Sequence, residues 1–268
     1  MFRLTRVVRC SINPPGAATP AGRAEQTPNA FAARPSMLGL GRHYELELQL
    51  VGNLEATGSY MLDIKEIDRV VRATALPILE EAANTRPLES PTAALAAFMP
   101  RLAAGLGGRL DVCRLRLSPF YSWEMRMTKP STAILRQRFD FAASHRLHVP
   151  TLSPQQNLDL FGKCNHPSGH GHNYQVEPAV EVSLDPSGTP AFTLQHLEAI
   201  VEREIIQRFD HKHLNLDTRE FGEGGVNPSV ENIAKVFFEL LQPSISPGAR
   251  LAHVTVWETD RTSSTYPA

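Results

Sequence analysis

The chain has 268 residues, 42% hydrophobic and 21% charged, which describes a globular protein of one large or two ordinary domains. A net charge of −1 gives no general attraction to nucleic acid, so any anion site must be local. No apolar run approaches the ~20 residues of a membrane span, and three distant cysteines, Cys10, Cys113 and Cys164, exclude a disulfide framework and point to a reducing, cytoplasmic setting.

The opening stretch "MFRLTRVVRCSI" is Arg-rich and free of acids, as in a transit peptide, but the alternation of Phe2, Leu4 and Arg6 predicts a first strand. Residues 11–36 are rich in Pro and Ala and predict a loop. Then "GLGRHYELELQL" (39–50) anticipates "GHGHNYQVEPAV" (169–180): one offset of 130 aligns Gly39, Gly41 and Tyr44 with Gly169, Gly171 and Tyr174. The same offset sets "DIKEIDRVV" (63–71) beside "TLQHLEAIV" (193–201). Two further pairs recur in the same order, "SPTAALAAF" with "NPSVENIAKVF" and "LDVCRLRLSP" with "LAHVTVWETD". The chain therefore reads as two similar units in tandem, 1–130 and 131–268, each with strands, two helices and further strands. The fold class is α+β, helices on one face of an antiparallel sheet.

In the second unit, "ILRQRFDFAASHRL" (134–147) and "NYQVEPAVEVSL" (173–184) predict strands. Thr193 is the expected N-cap of a helix with Leu194, Leu197, Val201 and Ile205 on one face. Asn227-Pro228 predicts another helix start, with Pro228 at the first helical position and Val230, Ile233, Phe237 and Leu241 as its apolar stripe. Pro243 stops it, and "RLAHVTVWET" (250–259) returns to strand.

Nine of the ten histidines lie in the second unit. Under the offset His170 and His172 correspond to Leu40 and Arg42, and Asp210 and His211 to Glu80 and Glu81. The first unit has the pattern without the chemistry, so the pattern itself does not require the histidines.

His170 and His172, two apart on a strand, share a face, and Gly171 between them is expected to permit close backbone approach. His145, at the end of an earlier strand, is a third candidate ligand. Three imidazoles suit zinc and leave the fourth tetrahedral position open. Cys164, six residues before His170, has three readings: a thiolate base, a small buried hydrophobe, or a fourth ligand that closes the site. Asp210 directly precedes His211, a pairing that needs a turn; the alternative is a polar helix end. Glu258 sits in a hydrophobic strand, either as an acceptor for a planar donor edge or as a surface carboxylate.

Together "FAASHRL", "NLDLFGKCNHPSGHGHNY", "FDHKHLN", "NPSVEN" and "VWET" resemble the 6-pyruvoyltetrahydropterin synthase family, which includes 6-carboxytetrahydropterin synthase. The resemblance covers residues 134 to about 260. It implies two tandem tunnelling-fold units, each a four-stranded antiparallel sheet with two helices, the first degenerate. It implies Zn2+ on His145, His170 and His172, catalysis by Cys164, Asp210 and His211, and pterin anchoring by Glu258. It further implies Ser229 and Glu231 of "NPSVEN" as substrate contacts, and makes Arg138, Arg146 and Lys163 candidates for phosphate. The implied substrate is 7,8-dihydroneopterin triphosphate, and the implied state is a homo-oligomer with interfacial active sites. The five residues between Cys164 and His170 are more like the pyruvoyl-forming members, but leave the product open. Val230 departs from the small polar residue usual beside the pterin. The rival reading is a non-catalytic zinc-containing pterin- or purine-binding protein.

Overall fold

The computed structural model describes residues 1–16, 33–56 and 58–268. Most of the expected Pro/Ala-rich loop therefore lies outside the described residues. The chain divides into two compact units, Met1–Leu135 with Val182–Ala191, and Arg136–Glu181 with Phe192–Ala268.

The first unit begins with β1 (Phe2–Ile12) and β2 (Arg42–Gly52), paired antiparallel with Val8 opposite Leu46. Helices α1 (Ile64–Thr74), α2 (Leu76–Thr85) and α3 (Pro91–Gly105) follow, then β3 (Leu110–Arg116), β4 (Tyr121–Arg126) and β5 (Lys129–Gln137). Strand order is β1-β2-β3-β4-β5. Alternation puts Leu46, Leu48 and Leu115 on one face, and these are fully buried with Ile67, Leu95, Phe98 and Leu102 of the helices. Burying each such side chain contributes about 1.5–3 kcal/mol. Asp63 caps α1 and Ser90 caps α3, each accepting a backbone N–H two residues on. Arg6 of β1 meets the buried Asp68 of α1 through two bonds of 2.9 and 2.8 Å.

The second unit holds β6 (Phe139–His145), α4 (Pro154–Phe161) and β7 (His170–Ser183). Next comes α5 (Leu194–Val201), which passes through a π turn at Glu202–Ile206 into α6 (Gln207–Phe209). Then follow β8 (Lys212–His213), α7 (Leu214–Asp217), α8 (Val230–Leu241), β9 (Ala249–Thr259) and β10 (Thr262–Tyr266). β6 pairs β7 antiparallel and β8 parallel, and β9 lies between β7 and β10, so the sheet is mixed and the class is α+β.

Four expectations need correction. The antiparallel sheet with two helices expected of each unit is not what forms: among the described residues the first unit has three helices, its helical stretch divided at Ala75, and the second adds the parallel β6–β8 pair. The single strand over 134–147 is interrupted at Arg138, whose carbonyl accepts from the Gln137 side-chain amide at 3.1 Å. The helix expected from Pro228 starts two residues later: Ser229 is its cap, accepting from the Asn232 N–H at 3.4 Å. Gly171 has ordinary room for a Cβ, whose nearest neighbour would be the Ala143 carbonyl at 3.5 Å. The close approach is instead at Gly169. The apolar stripe Val230, Ile233, Phe237 and Leu241 is buried as its 3.6-residue period requires.

Candidate metal centre and the groove beside it

The β6–β7 register sets His145 directly opposite His170, with Ala143 opposite His172 and Phe141 opposite Tyr174. Period 2 then lines His170, His172 and Tyr174 along one face of β7, with His145 across from them. Phe141 stacks on Tyr174 at 5.0 Å and meets Phe237 of α8 at 5.5 Å, which gives the histidines a rigid apolar floor. The turn before β7 is built by His166, to which sequence reasoning gave no role. Its carbonyl accepts from the Gly169 N–H at 2.8 Å and its Nδ1 from the Ser168 N–H at 3.2 Å. Gly169 has φ +69°, and a Cβ there would fall 2.7 Å from His213 Nε2 and 2.8 Å from the His145 carbonyl oxygen.

The ring nitrogens converge. His145 Nε2 lies 3.1 Å from His170 Nε2 and 3.3 Å from a Glu258 carboxylate oxygen, and His172 Nε2 lies 2.9 Å from that oxygen. One ligand atom from each of these four residues lies within 4.8 Å of all the others. A tetrahedral zinc with bonds of about 2.0–2.1 Å separates its ligands by about 3.3 Å, so the set is already spaced for such an ion. His172 Nε2 is buried and makes no aligned hydrogen bond despite its short contact, and His170 Nδ1 is buried without a partner. The Pro228 carbonyl can only accept, so it fixes the proton of His145 on Nδ1, at 2.7 Å, and turns the Nε2 lone pair to the cluster. This explains why α8 starts beyond Pro228. The Tyr174 hydroxyl lies 3.3 Å from the same Nδ1.

The electrostatics favour ligands over acids. Burial lowers the pKa of His170 and His172, and the neighbouring imidazoles lower that of His170 further, while Glu258 opposes both shifts. Glu258 is held below the usual carboxylate range, first by the His145 imidazole 3.3 Å away and against its burial. Burial drives the Tyr174 phenol up. Neutral imidazoles and an ionised carboxylate are the forms that bind a divalent cation. The residues fit zinc.

The remaining sequence candidates fall into groups. Cys164 is partly exposed on the short turn Gly162–Asn165 and stays outside the convergent set. Asp210 and His211 meet through the turn their adjacency demands: His211 has φ +57°, and its Nδ1 lies 2.8 Å from Asp210 Oδ2. The other Asp210 oxygen accepts from the Ala142 N–H at 2.8 Å, which with the contact to His211 lowers its pKa. His211 is exposed and, with His172 and His213, lines an open groove of about 470 Å³. Ser229 caps α8 and Glu231 is exposed in its first turn. Arg138 is engaged elsewhere: it stacks on Trp257 at 4.2 Å, bonds Gln175 at 3.2 Å and faces Glu177 at 3.6 Å. Arg146 lines a second cavity. Sequence reasoning missed Tyr174, the Pro228 carbonyl and His213. An "HNY" triplet is a signal for the tyrosine; a carbonyl carries none.

A family model for 6-pyruvoyl tetrahydropterin synthase matches residues 134–268, the stretch that carries every one of these groups. The chain belongs to the 6-pyruvoyl tetrahydropterin synthase family. It is 40% identical over 134 residues to a 6-pyruvoyl tetrahydrobiopterin synthase of Homo sapiens, a span that is 50% of this chain and 90% of that protein. With the protein of the same name from Drosophila melanogaster it shares 36% over 141 residues, 52% of this chain and 82% of that one. Among solved structures, 6-pyruvoyl tetrahydropterin synthase of Caenorhabditis elegans aligns at 32% identity and a TM-score of 0.47, covering 50% of this chain and 94% of that one. The family match begins at residue 134, so the pterin-synthase signature belongs to the second half of the chain. Among the described residues no helix is long and apolar enough to cross a membrane.

Proposed function

We propose that the chain is a zinc-dependent lyase that eliminates triphosphate from 7,8-dihydroneopterin triphosphate to give a 6-pyruvoyl-tetrahydropterin, or, with one water consumed and the two outer side-chain carbons released as acetaldehyde, a 6-carboxy-tetrahydropterin. The convergence of His145, His170, His172 and Glu258 within 4.8 Å carries this reading, because such a set needs a cation and the family supplies a reaction for it. His145, His170 and His172 would hold Zn2+, which when bound acidifies substrate hydroxyls as a Lewis acid. Cys164, as thiolate, takes a proton from the substrate side chain. The electron pair of that C–H bond moves into the side chain, and the C–O bond to triphosphate breaks with its electrons on the departing group. Asp210 holds the His211 Nδ1 proton, which leaves Nε2 to exchange a proton on the other side of the side chain. Glu258 accepts the donor edge of the pterin, with Ser229 and Glu231 beside the ring.

Cys164 does not line the groove of His211, which supports active sites completed by a second copy in a cytoplasmic homo-oligomer. The tandem tunnelling-fold reading, with a degenerate first unit over 1–130 and a catalytic unit over 131–268, is supported by helix caps at Asp63 and Thr193, which are 130 residues apart.

The test is incubation of the zinc-loaded full chain with 7,8-dihydroneopterin triphosphate, with triphosphate release and product mass as readouts. Cys164-dependent release is the expected result. Tight binding without release overturns the lyase and leaves a pterin-binding protein.

A further inference from the structure

Where β6 ends at His145 the chain leaves regular structure, yet residues 146–149 are held at every backbone N–H. The Arg146 N–H donates to Asn215 Oδ1 at 2.8 Å, and Asn215 Nδ2 donates back to the Arg146 carbonyl at 3.0 Å. The Leu147 N–H donates to the Cys164 carbonyl at 2.9 Å. The His148 N–H donates to Asn227 Oδ1 at 3.1 Å, and the Val149 N–H to Asn157 Oδ1 at 2.8 Å. Three asparagine side chains and one carbonyl thus supply what a neighbouring strand would otherwise supply.

A fourth asparagine fixes the side chains of this strap. The Asn165 carbonyl and Oδ1 accept from Arg146 Nε at 3.1 and 3.0 Å, and the same Oδ1 accepts from His148 Nδ1 at 3.1 Å. The guanidinium is pinned by its Nε edge, and both Nη groups stay without a partner among the described residues. Arg146 and His148 line a groove of about 600 Å³ together with His213, Asn215 and the glycine-containing segment 222–225, with Glu223 as its one acid. His213 also lines the groove of His172 and His211, so the two grooves meet at this residue, whose Nδ1 is buried and unpartnered.

We infer that this second groove seats the polyphosphate of the substrate, with Arg146 as a two-pronged donor and His148 Nε2 and His213 as further contacts; the inference rests on the function proposed above. An arginine with its fork free and its stem fixed is the side chain best suited to phosphate oxygens. Because the strap is ordered before binding, little freedom is lost when the anion arrives. The bond from Leu147 to Cys164 ties the anion seat to the turn of the proton-abstracting thiol, so the leaving group and the base keep a fixed relation. A fixed cation there stabilises the charge that builds on the departing oxygen. The other arginine candidate, Arg138, is spent on Trp257, Gln175 and Glu177.

The probe is inorganic tripolyphosphate, titrated into the zinc-loaded full chain by calorimetry and tested as a competitive inhibitor. Arg146→Gln is expected to weaken its binding on the order of ten- to a hundredfold with zinc content unchanged. Arg146→Lys, which keeps the charge and loses the fork, should fall between the two and guards against a misfolded Gln variant. Lys235→Gln, an exposed charge on α8, controls for net charge and should bind as the parent does. Unchanged tripolyphosphate affinity in zinc-replete Arg146→Gln and Arg146→Lys overturns the seat, even if Cys164-dependent turnover persists. Arg146-dependent tripolyphosphate binding without turnover of the pterin triphosphate would keep the seat and sink the lyase reading instead.

Discussion

The Nε2 atoms of His145 and His170 face each other at 3.1 Å, and the Nδ1 of His145 is already committed to the Pro228 carbonyl. Two imidazole lone pairs aimed at one point are stable only with a cation between them or a proton on one. We therefore expect the purified chain to carry zinc, and His145→Ala or His170→Ala to lose nearly all of it. Removal of the metal with a chelator should lower the melting temperature, and re-addition should restore it. Elemental analysis beside calorimetry checks this; full zinc occupancy in both variants would refute the site.

Glu258 lies against the same imidazoles, 2.9 Å from His172. Glu258→Gln separates its two roles. As a ring anchor its loss leaves zinc in place and raises KM for the pterin. As a fourth ligand its loss depletes zinc in parallel with activity. The proposed function predicts the first pattern, read from metal content and steady-state kinetics.

Gly169 and Gly171 flank His170 but differ in what surrounds them. Gly169→Ala forces a Cβ at φ +69° to within 2.8 Å of the His145 carbonyl, and should cost about 1–3 kcal/mol and disturb zinc binding. Gly171→Ala meets nothing closer than 3.5 Å and should be neutral or stabilising by up to about 1 kcal/mol. Denaturant unfolding of the two variants decides; equal losses would contradict the backbone argument.

The three cysteines should react unequally. Burial pushes the Cys10 thiol up to about 11 and also raises that of Cys113, and both are inaccessible. Cys164 is partly exposed. A chromogenic disulfide reagent should therefore label one thiol in the native chain and three after unfolding, with Cys164→Ser abolishing the native signal. Rapid labelling of two sites in the native protein would count against it.

Asp210 sets part of the acid limit. Its folded pKa is lowered, first by the Ala142 N–H and against burial, then by His211. Its contribution is complete above the unfolded carboxylate range, about pH 4, and is lost as pH falls through the depressed folded value. Asp210→Asn keeps an acceptor for Ala142 but cannot ionise. Its unfolding free energy should fall less steeply below pH 4 than that of the parent, while turnover drops at neutral pH because His211 loses its orienting charge. Matching acid limbs in the two proteins would remove Asp210 from this account.

Much of the site was legible because its chemistry is carried by side-chain identity. His170 and His172 announce a shared face through their spacing alone, and Asp210-His211 announces a turn because neighbours on a helix or strand point apart. The α8 stripe was equally readable, since burial of Val230, Ile233, Phe237 and Leu241 follows from period. The start of α8 was misjudged by two residues because local rules favour Pro at the first turn, whereas here Pro228 is held out of the helix with its carbonyl on a histidine 83 residues away. Gly171 drew attention that belonged to Gly169 for a similar reason. The crowding at Gly169 comes from His145 and His213, which no local window contains.

The sequence by itself determined the family, the α+β class, and the residue types able to bind a cation and move protons. Only the tertiary structure brought Glu258 among the imidazoles, chose the tautomer of His145, separated the engaged Arg138 from the fork of Arg146, and joined four asparagines to one irregular strap. Periodicity reports which face a residue occupies, because backbone geometry is local. Hydrogen bonds and charge pairs are satisfied by whatever the folded chain brings within about 3 Å, and that partner is set by packing rather than by position along the chain.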